Sequence, residues 1–236
     1  MSMLHNNAKW LFAVMCMLAL AGCSREPEQR EAFIGFLQTR AINAKGAIVP
    51  YMNQKEEQAI GSNYVAQYQV ILDFDKAMNK LVDGPYKETQ ALISSARSPA
   101  DILKRRDDIV KIKTMMDTLG ATIRQELDKS NAARAALTQP DDLKPVYDQA
   151  YAKIVSAPAE GFLALMPPLQ EALDAMLKLA DFLQNHSDKI SIEEGQLMAG
   201  DQTTLDALQP YLDDLNEKSA VMMKAQQQLM NTIQGK

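Results

Sequence analysis

The chain has 236 residues, with 25 basic and 30 acidic side chains for a net charge of −5, and only two cysteines, two histidines and one tryptophan. That inventory offers few Cys and His side chains for a metal site, and the acidic balance disfavours nucleic acid or a polybasic grip on a membrane. No metal or other cofactor is expected.

The first 22 residues read as a signal peptide. Lys9 and the amino terminus supply positive charge, and residues 11–20 (LFAVMCMLAL) form a ten-residue apolar block. A spanning helix needs roughly 20 such residues. Leu20-Ala21-Gly22-Cys23 then matches the lipobox pattern, in which the cysteine receives a thioether-linked diacylglycerol before the chain is cut between Gly22 and Cys23. One acyl chain holds a protein only marginally and two or more hold it firmly, so a diacylglyceryl, N-acylated Cys23 is expected to anchor the protein to a membrane without spanning it.

Processing also shortens the chemistry available. His5, Trp10 and Cys16 leave with the signal, so the remaining 214 residues hold one histidine, His186, and one thiol, the lipidated Cys23. Neither a disulfide within the chain nor a Cys-His dyad can then form. Lys9 is the one charged side chain lost, which leaves 24 basic against 30 acidic groups and a net charge near −6. The expected organisation is a signal peptide over 1–22, a lipidated cysteine with a short tether over 23–30, and a single helical periplasmic domain over 31–236.

Residues 24–30 are polar, and an apolar pattern begins at Ala32-Phe33. An extended chain spans at most about 3.3–3.6 Å per residue, so such a tether keeps the folded part close to the bilayer. Phe33, Phe36, Leu37, Ala41 and Ala44 share a stripe of a first helix that stops at Gly46, ahead of Pro50. Asn53 and Glu56 form a capping-box pair for a short helix ending at Gly61. Tyr64, Tyr68, Ile71, Leu72, Met78 and Val82 recur at helical steps and predict a core-facing helix over 63–82, closed by Gly84-Pro85, with a further short helix over 85–95. Ser98-Pro99-Ala100-Asp101 is the clearest helix start, with a serine cap, proline at the first position and an acid in the first turn. One long helix is predicted over 99–138, a rod of about 60 Å, with Ile109, Ile112, Met116, Leu119, Ile123 and Leu127 as its stripe.

Gln139-Pro140-Asp141-Asp142 marks a turn, and a helix carrying Val146, Tyr147, Ala150, Tyr151 and Ile154 is expected to end near residue 156. Pro158 restarts the chain, and Pro167-Pro168 should kink or break the helix before it, because Pro168 lacks the N–H needed inside a helix. A helix over 168–185 comes next, then a short β-hairpin near 189–199, where Ile190 and Ile192 alternate with polar residues. Asp201 caps a last helix whose Leu205, Leu208, Leu212, Leu215, Met222, Leu229 and Ile233 keep heptad spacing despite Pro210. The fold expected is all-α, an elongated antiparallel helical bundle with one long helix and a minor hairpin.

Each side chain that might carry chemistry has a simpler structural reading. His186 falls at a helix C-terminus, where a partly positive imidazole suits the dipole, and no G-x-S-x-G elbow exists to present a serine to it. Asp75 shares a stripe with Tyr68, Ile71 and Met78; a lysine-paired structural aspartate is favoured over an acid or base with a raised pKa. The pairs Asp107-Asp108, Asp141-Asp142, Glu193-Glu194 and Asp213-Asp214 lack the alternating oxygen ligands of a calcium loop. Lys104-Arg105-Arg106 reads as a salt-bridged helix surface neutralised by Asp107-Asp108 rather than a lipid contact. Met115, Met116, Met222 and Met223 read as core filling, with an adaptable apolar groove as the alternative. No catalytic residue is assigned.

Two blocks carry a family resemblance. Gln29-Arg30-Glu31-Ala32-Phe33-Ile34-Gly35-Phe36-Leu37-Gln38 and Asp141-Asp142-Leu143-Lys144-Pro145-Val146-Tyr147-Asp148-Gln149-Ala150 resemble the YiaF-like lipoproteins of enteric bacteria, with the lipobox at the same place. The resemblance implies a lipoprotein with a domain of unknown function and hands over no catalytic residues. In enteric lipoproteins an aspartate after the cysteine retains the protein in the inner membrane. Ser24 stands there instead, so the periplasmic face of the outer membrane is the expected location and the inner membrane the alternative. The functional expectation is a noncatalytic binding or scaffold module that meets an envelope protein through helical faces. A carrier or sensor of an apolar ligand within the bundle is the alternative, and a carboxylate-dependent hydrolase stands behind both.

Overall fold

Apolar residues at helical spacing build four long helices, and the shorter elements cap their ends. The structure, a computed structural model, describes residues 25–95, 98–193 and 196–236. Helix α1 (Glu26–Phe36) continues into a π-helical turn (Leu37–Ile42), and α2 (Gln54–Ile60) leads into α3 (Ser62–Ser95). Next come α4 (Pro99–Lys104), α5 (Arg106–Ala135) and α6 (Lys144–Tyr151), which passes through a second π-helical turn (Ala152–Ser156) into α7 (Ala157–Asn185). Strands β1 (Ile190–Glu193) and β2 (Gln196–Ala199) precede the last helix, α8 (Gln202–Gln234).

The long helices run antiparallel in chain order. Thr89 of α3 meets Met116 of α5, while Gln67 near the start of α3 accepts from Gln139 beyond the end of α5. Arg106 pairs with Asp181 at 2.6 Å at one end of the α5–α7 seam, and Gly120 faces Met166 further along it. Between α7 and α8 the Phe182 and Tyr211 rings lie 4.6 Å apart, and Gly161 faces Leu229.

The core has two parts, bridged by Met78 and Leu163. One is aromatic, with Phe33 and Phe36 of α1 among Tyr64, Tyr68, Tyr147 and Tyr151. The other is aliphatic, drawn from α5, α7 and the inner face of α8. An all-α bundle with a two-stranded antiparallel hairpin is the observed fold, and Ile190 pairs with Ala199 and Glu193 with Gln196 in the hairpin. The expected capping box at Asn53/Glu56 and the expected serine cap at Ser98 are present, the latter as a full capping box with Asp101, and the Asp201 side chain accepts from the Thr204 N–H at 2.6 Å.

Several expectations change. The polar stretch expected to be a tether is mostly helix, because α1 starts at Glu26, with acids in its first turn and Pro27 where its missing N–H costs nothing. Gly84-Pro85 does not close α3. A helix-interior proline costs roughly 3 kcal/mol, but Leu81 before it and Leu92 after it both pack into the aliphatic core, so the helix continues. The rod over 99–138 is divided at Arg105, whose φ of −106° and ψ of 17° leave the helical region, and it ends at Ala135. The division lets α4 dock on α7 and β2 while α5 runs between α3 and α7.

Pro158 does not restart the chain and Pro167-Pro168 do not break it: helix is continuous over 144–185. The wider π-helical turn leaves Pro158 in the first turn of α7, where no N–H is needed. The proline pair is tolerated because of the apolar residues C-terminal to it, since Leu169, Leu173, Leu179, Phe182 and Leu183 are all buried. At about 1.5–3 kcal/mol for each large apolar side chain buried, they outweigh a penalty of roughly 3 kcal/mol per interior proline.

Candidate functional site

A strongly apolar cavity lies among all four long helices. It has a volume of about 90 Å³ and is walled by Met116 and Leu119 of α5, Phe162 and Met166 of α7, and Met222 and Leu229 of α8, with Thr89 of α3 closing the fourth side. It is bordered by tight seams. A Cβ added at Gly161 would lie 3.1 Å from the Leu229 side chain, and one at Gly120 would lie 3.3 Å from that of Met166. Helices this close on either flank define the cavity as a local void between fixed walls.

Its polar groups are few. The Thr89 hydroxyl donates to the Pro85 carbonyl at 2.8 Å, back into its own helix. Gln226, half-buried on α8, lines the rim together with Met230, which at 39 % exposure is the lining residue most open to solvent. The cavity therefore opens beside Met230. Apolar surface continues along this edge of α8, because at 100° per residue Leu205, Leu212, Met223 and Met230 fall within about 20° of one line. Met223 is 65 % exposed.

The buried tyrosines are the other concentration of titratable groups, and all four hydroxyls are engaged. Tyr68 donates to the Pro50 carbonyl at 2.7 Å, Tyr147 to the Gln67 carbonyl at 2.9 Å and Tyr151 to the Ser130 hydroxyl at 2.8 Å, while Tyr64 donates to Glu26. Burial pushes Tyr64 up to about 12, helped by the Glu26 carboxylate, and it holds Tyr68, Tyr147 and Tyr151 above the usual phenol range. A tyrosine acting as nucleophile or base needs the opposite shift. This cluster is built to stay protonated and packed.

The residues singled out from the sequence are scattered. Cys23 and the Gly22–Cys23 cut lie outside the described residues. His186 caps α7, with Nδ1 2.9 Å from the Phe182 carbonyl and its ring stacked on Phe182 at 4.1 Å. Among the described residues Asp75 pairs with no lysine: it accepts from the Tyr51 hydroxyl at 2.7 Å and from Asn79 at 3.1 Å, because Tyr51 in the α1–α2 connection reaches across to α3. Of the basic run, Arg105 pairs with Asp108, while Arg106 reaches both Asp107 and Asp181 of α7, a partner that spacing within one helix does not show. Met116 and Met222 meet in the cavity wall with Met166 and Met230, which sequence reasoning does not single out. Met230 comes directly after the heptad residue Leu229, and that adjacency is the available signal. Among the described residues no cluster of three or more His, Cys, Asp or Glu side chains is arranged to hold a metal ion, and no helix is long and apolar enough to cross a membrane.

Comparison with known proteins bears out the family resemblance. The chain is 26 % identical over 182 residues to the uncharacterized protein YiaF of Escherichia coli K12, a match covering 77 % of this chain and 76 % of that one. YiaF of Shigella flexneri matches to the same extent. No solved structure matches the chain. A protein family described as "Protein of unknown function (DUF3053)" matches residues 11–230, nearly the whole length, and the chain belongs to that family.

Proposed function

We propose that this protein is a lipid-anchored component of the bacterial cell envelope, attached through Cys23 to the periplasmic face of the outer membrane. There it acts without catalysis, as a binding or scaffold module. The observation that supports the binding role is the exposed edge of α8. Leu205, Met223 and Met230 lie on one line over about 38 Å of helix, all three exposed although the opposite face of α8 is packed on α7. Met223 and Met230, one heptad apart, expose neighbouring apolar surface on this edge, and exposed apolar patches serve as contact surfaces. The anchor is supported by the lipobox and by Ser24 after it.

Two experiments test the reading. Cys23→Ser should abolish incorporation of labelled palmitate, and wild type should fractionate with the outer membrane; labelling that persists, or co-sedimentation with the inner membrane, overturns the corresponding part. A photoreactive residue at position 223 should give a reproducible envelope-protein adduct in cells that the same residue at position 88, exposed on α3, does not. Absence of that adduct overturns the scaffold role.

A second reading, a carrier or sensor of an apolar ligand, is favoured by one separate observation. The cavity between the four helices has an almost wholly apolar wall, and Met230 is its most exposed lining residue.

A further inference from the structure

We infer that this cavity takes the terminal carbons of a single unbranched alkyl chain, admitted beside Met230, with the rest of the chain lying along α8 toward Met223. The inference rests on the second reading above and names its ligand class. Volume carries the first step. A cavity of roughly 150 Å³ holds benzene, and the 90 Å³ here has, in the same proportion, room for about three or four carbons. Wall chemistry carries the second. Met116, Met166, Met222 and Met230 are unbranched and polarizable, and such side chains adjust to a slender flexible guest better than to a rigid one.

The opening carries the third step. A ligand longer than the cavity must leave past Met230 and Gln226, and Met223 lies one heptad back from Met230, about 10 Å along the axis. Met223 is the most exposed large apolar side chain of α8, so a chain emerging at Met230 meets further apolar surface along the helix. Gln226 sits at the point of exit and makes no hydrogen bond among the described residues. Its amide is placed to meet the first polar group of a short-chain ligand. Free fatty acids and phospholipids both present such a chain, and the shared chemistry is the unbranched alkyl segment.

Methyl NMR of the mature lipoprotein in nanodiscs, labelled at the methionine methyls, tests this directly. Unbranched primary alcohols from ethanol to hexanol should shift the Met116, Met166, Met222 and Met230 resonances while leaving Met52 and Met198 in place. Affinity should rise about fourfold for each added carbon until the cavity is full, and then more slowly. Filling the cavity with Leu165→Phe, or with Met222→Phe should the first variant not fold, should weaken hexanol binding at least tenfold. Hexanoate and dihexanoyl phosphatidylglycerol separate the sources: a response to hexanoate alone assigns free acids, and a response to both assigns any acyl chain. If benzene moves the four methyls and the alcohols do not, the alkyl assignment is overturned while the apolar-ligand reading stands. If neither does, both fall.

Discussion

Gly46→Ala should destabilise the protein through one contact at the far end of the chain. Gly46 has a φ of +78°, and a Cβ built on it would lie 2.6 Å from the Ile233 carbonyl oxygen in the last turn of α8. The left-handed backbone costs a non-glycine residue about 1–2 kcal/mol. Relieving the clash means moving residues 46 and 47 away from α8, which breaks the 2.8 Å hydrogen bond from the Ala47 N–H to that carbonyl. A hydrogen bond of this kind is worth about 0.5–1.5 kcal/mol. Against these stands the reduced freedom of the unfolded chain, about 0.4–1 kcal/mol in favour of alanine. The net loss is about 0.5–3 kcal/mol, and with a slope of about 3 kcal/mol/M the urea midpoint should fall by about 0.2–1 M. Equilibrium urea unfolding monitored by far-ultraviolet circular dichroism reads this. An unchanged or raised midpoint, with the slope preserved, would refute the reasoning.

Gly84→Ala should act in the opposite direction, since Gly84 lies inside α3 with nothing within 4 Å of an added Cβ; a gain of about 0.5–1 kcal/mol is expected, and any loss of stability argues against a continuous helix there. Tyr151→Phe should cost about 1–2 kcal/mol by leaving the buried Ser130 hydroxyl unpaired, whereas Tyr51→Phe, at an exposed site, should change little; equal effects would show that burial is not the deciding variable. Stability should also fall in strong alkali. Tyr64 ionises near 12 when folded, above its ordinary value of 10.0, so its contribution is complete below pH 10 and is lost as the pH rises through about 12. Thermal melts across pH 9–12, alongside ultraviolet titration of the phenols, check this, and a melting temperature flat to pH 12 would contradict it.

Local signals are the legible ones. Asn53/Glu56, Ser98/Asp101 and Asp201 each set a helix start through side chains within three residues of the backbone they cap, so neighbouring letters contain the whole interaction. Prolines mislead for the complementary reason. Their cost is local, but whether a helix survives it depends on apolar residues beyond them and on the helices those residues meet, as Leu92 and Leu169 do. Asp75 shows the same limit, because Tyr51 reaches it from 24 positions away. The cavity is half visible in the sequence: Met116 and Met222 stand out there as candidates for an adaptable groove, but only packing shows that α3, α5, α7 and α8 leave a void where they meet.

The bond between Ala47 and Ile233 also sets an order on biosynthesis. It joins two points separated by nearly the whole chain, and loops of that length close late and slowly. The aromatic half of the core draws on no residue after Ala159 among its buried members and can consolidate while the rest of the polypeptide is still being made. The aliphatic half must wait for α8, and until that helix arrives the inner faces of α5 and α7 stay open to whatever apolar surface is nearby. The 33 residues of α8 act as a timed cover for the surface most prone to wrong association.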